Sequence, residues 1–218
     1  LNNTTADNNT AVGYKALTAN TTGELNVAIG TSALSTDQKG NRSTAIGYQA
    51  LKSQLFTGST TAHNTAVGYQ AGLALTTGTK NTLIGAVCGD EMTTGDYNTF
   101  VGYAALQAVV TGASNTGMGT AAGFNLTSGS NNLLLGHDAG RTGSPGGVIT
   151  THDNQINLGD ENISEANIQV DWTVASDARD KTDFTALDLG LDFVNALAPV
   201  TYKWDKRSKY GDKTSDDY

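Results

Sequence analysis

The chain is poor in the residues that usually staple or punctuate a fold. A single cysteine, Cys88, excludes an intrachain disulfide framework and a cysteine-based zinc site. Two prolines in 218 residues leave the corners to glycine, of which there are 26. Charge is scarce as well: 16% of residues are charged, against about 25% in an ordinary soluble domain. The balance is acidic, 13 Lys and Arg against 21 Asp and Glu, for a net charge of −8. Neutralising phosphates supplies most nucleic-acid affinity, so no nucleic-acid partner is expected. No apolar run approaches the roughly 18 residues of a membrane-spanning helix, so membrane insertion is not expected either. Position 1 is Leu and no signal-peptide pattern follows it, which reads as a piece of a longer product.

Charge is also unevenly spread. Residues 1–159 carry 6 basic and 8 acidic side chains, and the much shorter 160–218 carries 7 and 13. The sequence therefore divides into a first part over 1–159, a connecting segment over 160–175 that reads as a strand near Ile168–Val174, and a last part over 176–218.

The first part is a repeat. Asn9-Thr10-Ala11-Val12-Gly13-Tyr14 returns as Ser43-Thr44-Ala45-Ile46-Gly47-Tyr48 and Asn64-Thr65-Ala66-Val67-Gly68-Tyr69, then from Asn81, Asn98, Asn115 and Asn132. The key glycines run from Gly13 to Gly136, with Gly159 as a ninth, mostly 17 apart and 21 and 23 apart at two places. A second glycine follows about ten residues later, at Gly23, Gly40, Gly78, Gly95, Gly112, Gly129 and Gly146, slipping to Gly58 in the third unit. A small residue stands three after the key glycine, from Ala16 to Ala139, with Cys88 in one unit.

A 17-residue unit is too short for the two-helix repeats, which need about 33 residues or more. A β-branched run ending at Gly, a second short run and a Thr/Ser/Asn/Gly turn read as two short strands and two turns per rung. The expected fold class is all-β: a β-solenoid or β-roll shaft of 17-residue rungs, nine rungs spanning roughly 40 Å at about 4.8 Å each. Each rung offers about one Val or Ile, one or two Ala and sometimes Leu. So little apolar surface sits poorly against the entropy of ordering an isolated chain. Association of three chains along the long axis is therefore expected, with the Ala16–Ala139 row suited to close approach of another backbone or rung.

The Asn-Thr-Ala-Val-Gly-Tyr-Gln-Ala-Gly style of repeat resembles the shafts of phage tail fibres. It is also similar to the β-roll heads of trimeric autotransporter adhesins, whose rungs are shorter.

In the last part the repeat is lost. Phe184, Leu187, Leu191, Val194 and Leu197 fall on one face of an amphipathic helix, Pro199 stops it, and Val200–Trp204 reads as a strand. Ser176-Asp177, Arg179, Lys181, Leu189-Gly190-Leu191-Asp192-Phe193-Val194, Leu197, Pro199-Val200, Tyr202 and Trp204 resemble the opening of the intramolecular chaperone domain of endosialidases and other phage tail spikes and fibres. The resemblance implies a small α+β segment that trimerises the chain, assists assembly of the shaft and cuts itself off next to the serine. It implies Ser176 as nucleophile and Lys181 as base, with Asp177 and Arg179 in positioning roles. A serine hydroxyl needs a neighbour to take its proton. A lysine does so once burial or a nearby cation such as Arg179 lowers its pKa from about 10.4.

On this reading the protein is a phage tail fibre or spike, located on the virion. Its partners are two further copies of itself, other tail proteins and a host-surface glycan or other receptor. It needs no cofactor and no metal, and its only enzymatic act is intramolecular. The alternative is a bacterial trimeric adhesin on the cell surface. A polysaccharide-degrading spike would need paired carboxylates across a cleft, and the repeats offer only Asp90-Glu91, Asp96 and Asp138. An ice-binding solenoid would need regularly placed Thr, whose positions drift between units. Tyr14, Tyr48, Tyr69 and Tyr103 read as rung-to-rung or interchain packing. The long turns at 51–63 and 140–154 read as tolerated insertions, and His63, His137 and His152 as isolated side chains.

Overall fold

A computed structural model of the protein describes residues 6–169, and all structural statements concern them. The segment is a parallel β-solenoid without a helix. Its main sheet has nine strands: β1 (Thr10–Val12), β2 (Val27–Ile29), β4 (Thr44–Ile46), β6 (Thr65–Val67), β7 (Thr82–Ile84), β8 (Thr99–Val101), β9 (Thr116–Met118), β10 (Leu133–Leu135) and β11 (Ile156–Leu158). Each pairs with its neighbours in parallel and in the same register, Thr65 over Thr82 and Thr82 over Thr99. A second pair, β3 (Gly40–Asn41) with β5 (Thr60–Thr61), lies at another corner.

The expected second strand in every rung is thus confined to one pair. The reason is backbone sign. Each full rung places non-glycine residues in the left-handed region at recurring positions, as at Gln49, Leu51 and His63, with φ of 56°, 48° and 51°. Two left-handed residues flanking one small residue make the Ala-Leu run a tight turn instead of an extended segment. Such residues cost on the order of 1 kcal/mol or more apiece. The turns are nevertheless bonded to the next rung: Gly72 N–H donates to the Cys88 carbonyl (3.0 Å), Thr76 N–H to Thr93 (2.8 Å) and Val87 N–H to Tyr69 (2.8 Å). The ladder runs around the perimeter, although only three residues per rung are strand.

Both glycine registers have a physical cause. At the key position Gly47 has φ 136°, and a Cβ there would drive into the carbonyl of Gly68 in the next rung. At the second position Gly95 has no positive φ, but a Cβ would meet the carbonyl oxygen of Gly112. Gly58 does not belong to this column. A Cβ on it would meet nothing within 4 Å, and Thr60 takes the register position opposite Gly40. Gly146 lies outside the column too: the second insertion puts His152 in its place, with its carbonyl against Gly129 and accepting from Asn132 Nδ2 (2.8 Å). Gly159 does continue the key column, since its N–H donates to Leu135 (2.7 Å) as the other key glycines do one rung earlier.

A buried asparagine starts most rungs. The Asn98 backbone N–H donates to Asn81 Oδ1 (2.9 Å), and Asn98 Oδ1 accepts from Asn115 N–H (2.9 Å). Asn98 Nδ2 crosses its own rung to the Gly112 carbonyl (2.9 Å). The same bonds recur along the column, as at Asn64 to Gly78 (2.7 Å) and Asn115 to Gly129 (2.8 Å). Where Ser43 replaces Asn, Gln54 fills the interior instead. Its Nε2 donates to Asp37 Oδ2 (2.7 Å) and Ser43 Oγ (3.0 Å), and its Oε1 accepts from Asn64 Nδ2 (2.9 Å).

The middle residue of each three-residue strand points inward, forming a column Ala28, Ala45, Ala66, Leu83, Phe100, Gly117, Leu134. A second column lies four residues past the key glycine, with Leu34, Leu51, Gly72, Gly89 and Leu106. The two compensate in volume. Leu34 and Leu51 stand in rungs whose strand offers alanine, while a Cβ on Gly72 would meet Leu83, and one on Gly89 would meet Phe100. The Ala16–Ala139 row is buried in this same interior, so its close approach is to the chain's own rungs and not to another chain. Val and Ile flank the inward residue and face out, as at Val12 (57% exposed) and Ile84 (39%).

Two outcomes test this packing by thermal or denaturant unfolding. Asn98→Ala orphans the Gly112 carbonyl and the Asn115 N–H and should cost roughly 2–5 kcal/mol, whereas exposed Thr94→Ala should stay within about 0.5 kcal/mol. Phe100→Ala should cost about 3–5 kcal/mol, because the glycines around the ring leave a cavity that cannot collapse.

Candidate functional surfaces

Ser176, Asp177, Arg179 and Lys181 lie outside the described residues, as do the expected 184–197 helix and the 200–204 strand. The expected strand near 168–174 is described only at its first two residues, which are not strand. The solenoid itself offers surfaces built from its columns.

The tyrosine row stands beside the sheet, one residue after the key glycine, and all four rings are exposed. Tyr48 and Tyr69 occupy adjoining rungs and stack with centroids 5.4 Å apart and planes at 10°. Below them Gln70 Nε2 donates to Gln49 Oε1 (2.9 Å). Tyr14 has Thr31 on the adjoining rung instead of a second ring and lies under Lys15 Nζ, 5.2 Å from the centroid. The rung-to-rung packing expected of this row is therefore realised at one pair.

The two insertions are packed rather than loose. In the first, Gln54 and Phe56 are buried, and Asp37 Oδ1 accepts from the Phe56 N–H (3.0 Å). In the second, Ser144 Oγ donates to the Gly159 carbonyl (2.8 Å) and accepts from Gly140 N–H (2.9 Å), while Ile149 closes the interior at 2% exposure. Both leave the strand register intact, with Thr44 over Thr65 and Leu133 over Ile156.

Three of the four carboxylates weighed as hydrolytic candidates make bonds within the scaffold. Asp138 pairs with Arg141 at 2.6 Å. Asp96 Oδ1 accepts from the Thr79 backbone and hydroxyl (2.6 and 3.0 Å). Asp90 accepts from Gln107 (3.3 Å); burial pushes its carboxyl above the ordinary range, opposed by that hydrogen bond. Among the histidines, His137 bonds Asp160 at 3.1 Å, and this bond, with those from Asn162, holds the Asp160 carboxyl below the usual range. Among the described residues no group of three or more His, Cys, Asp and Glu is placed to hold a metal ion. A shallow groove of about 290 Å³ runs between the corner row of Ser114, Asn131 and Asn154 and the strand row of Thr116, Leu133 and Ile156. Its lining holds no titratable group, so it offers shape and amides but no acid–base chemistry.

Cys88 is fully buried in the alanine column, and burial pushes its thiol up to about 12. Sequence reasoning missed the outward strand face. Its positions are in pairing register, Thr44, Thr65, Thr82, Thr99 and Thr116 on one row. The threonines of that row do not drift between units. The signal was available in the repeat, as large residues on either side of a small one at period two, but it does not say which side is in.

The comparisons bear on the part of the chain beyond the solenoid. Residues 176–217 match the family described as the chaperone of endosialidase. No curated protein and no solved structure matches the chain. The molecule is thus a β-solenoid whose sequence continues into a segment that matches the chaperone of endosialidase.

Cys88 gives a direct test. In the folded chain at pH 8 it should not react with a disulfide reagent such as DTNB, and one equivalent should appear in guanidinium. Because its folded pKa lies above the ordinary 9.0, the unfolded chain releases this proton first. The Cys88 contribution should therefore be flat at neutral pH and turn destabilising above about pH 9, a slope that Cys88→Ala removes.

Proposed function

We propose that the protein is the distal part of a phage tail fibre or spike, a homotrimeric solenoid shaft ending in a self-cleaving intramolecular chaperone. The observation that carries this reading is the chaperone-of-endosialidase match over residues 176–217, directly after a repeat shaft. A stack of strained rungs rewards assembly only when neighbours are already in place, so a folding aid at one end has a physical task. The chaperone segment brings three chains together, holds their shafts in register while the rungs zip, and is then released. Ser176 Oγ attacks a neighbouring peptide carbonyl as Lys181 takes its proton, the C–N bond breaks with that proton passed to the leaving amine, and water hydrolyses the resulting ester, while Asp177 and Arg179 position the pair. Cutting follows assembly if the trimer supplies the burial that makes Lys181 a base near neutral pH. The finished shaft resides on the virion, joins other tail proteins and presents a host-surface glycan or other receptor with the fibre tip.

Intact masses of the denatured full-length product test the reading. The wild type should separate into two pieces cut beside residue 176, and Ser176→Ala should remain whole. Lys181→Met should also remain whole, since it keeps length and loses the base. An uncut wild type would refute the self-cleaving chaperone.

A further inference from the structure

The outer side of the nine-stranded sheet is unlike the rest of the surface. The residues flanking each inward position give eighteen outward sites, from Thr10 and Val12 to Ile156 and Leu158, and none carries a charge. One row is wholly apolar from Val12 to Leu158, and Ile29, Ile84, Met118 and Leu158, interleaved along it with Ile46, Val67, Val101 and Leu135, are 36–46% exposed. Nine strands at about 4.8 Å, with roughly four residues of width, give a surface on the order of 500 Å² in projection and more in accessible area. That approaches the roughly 800 Å² per partner of a standard protein interface, and an uncharged face with a continuous apolar row beside a threonine row marks a contact site.

We infer that this strand face is where copies of the chain meet, running parallel with rungs in register around a common axis. Three features fit a copy better than another partner. A second copy repeats at the same strand spacing, so each apolar row meets a row of equal pitch. The chain carries a net charge of −8, and this face is one where identical acidic chains approach without bringing charges together. The face is also graded along its length: toward the C-terminal end Leu133 and Ile156 replace the threonines found in most other rungs. Parallel copies put like against like. The parallel sense rests also on the fibre-shaft reading, which brings the C-terminal segments together.

Homotypic cross-linking of the full chain tests this. Cys88 is buried and silent, so Ile84→Cys places one reactive thiol in the middle of the face. Met118→Cys is a second reporter should the first fail to fold, and exposed Thr94→Cys is the control away from the sheet. Mild oxidation should link Ile84→Cys or Met118→Cys to its own copy at least tenfold more than Thr94→Cys. Light scattering of the unmodified chain should give one defined oligomer. Equal linking at all three sites, or a single-chain mass, would overturn the interface. A single chain showing thermal hysteresis would overturn it too, and would assign the regular threonine row to ice. Linking through the face in a product that is not cut at residue 176 keeps the interface and refutes the self-cleaving chaperone. Cutting without linking does the reverse.

Discussion

Hydrogen bonding between rungs carries a structure whose single rung is unfavourable alone. A rung has one strand of three residues and several residues in the left-handed region, Leu51 and His63 among them. Within itself it closes only short turns and the one bond from its asparagine side chain to the opposite corner. Stacked, nearly every peptide finds a partner one rung away, and the asparagine side chain ties the strand to the opposite corner of the same rung. Asn98 spends its carbonyl oxygen on the rung that follows and its amide on Gly112. It is at once a rung-to-rung and a cross-rung bond. This is why the stack behaves as a one-dimensional assembly, in which each unit is stabilised by its neighbours.

What the column requires is satisfied polar groups and not asparagine as such. At Ser43 the side chain is too short to cross the rung, and Gln54, standing where later rungs carry Leu75 and Met92, reaches Asp37, Ser43 and Asn64 in its place. The apolar columns obey a similar rule in volume. Large residues alternate with glycine between rungs, so the interior stays filled while the residue at any one position changes. Fixed backbone spacing is the constraint, and side-chain choice follows from it.

That constraint explains what was legible in the sequence. The key-glycine register, the repeat of about 17 residues and the solenoid class were readable, because carbonyls of neighbouring rungs leave no room for a Cβ at Gly47 or Gly95. The direction of the strand side chains was not. Ranked by hydrophobicity, Ile46 should be inside and Ala45 outside; Leu51 already fills the interior of that rung, so Ala45 fits inward and Ile46 faces out. A three-residue strand has too few positions for periodicity to choose between its two faces. The Ala-Leu run misled for another reason. Leu17 and Leu34 have apolar side chains suited to a strand, but φ values of 53° and 49°, which composition does not reveal. The chaperone segment was legible through its linear signature, independent of any surface.

The insertions show how such a scaffold divides constant from variable surface. Extra residues enter between Leu51 and Thr60 and again between Gly140 and Asn154. Both rejoin the stack so that the next strand pairs in the same register. A corner can therefore gain length, bury its own Phe56 or Ile149 and change what it shows to solvent, while the strand face passes through unaltered. Only the strand face is bound to this regularity, because a shift there would break two ladders at once. If copies of the chain meet on that face, the regularity that holds one chain together also sets the pitch for the next. The corners are then left free to vary.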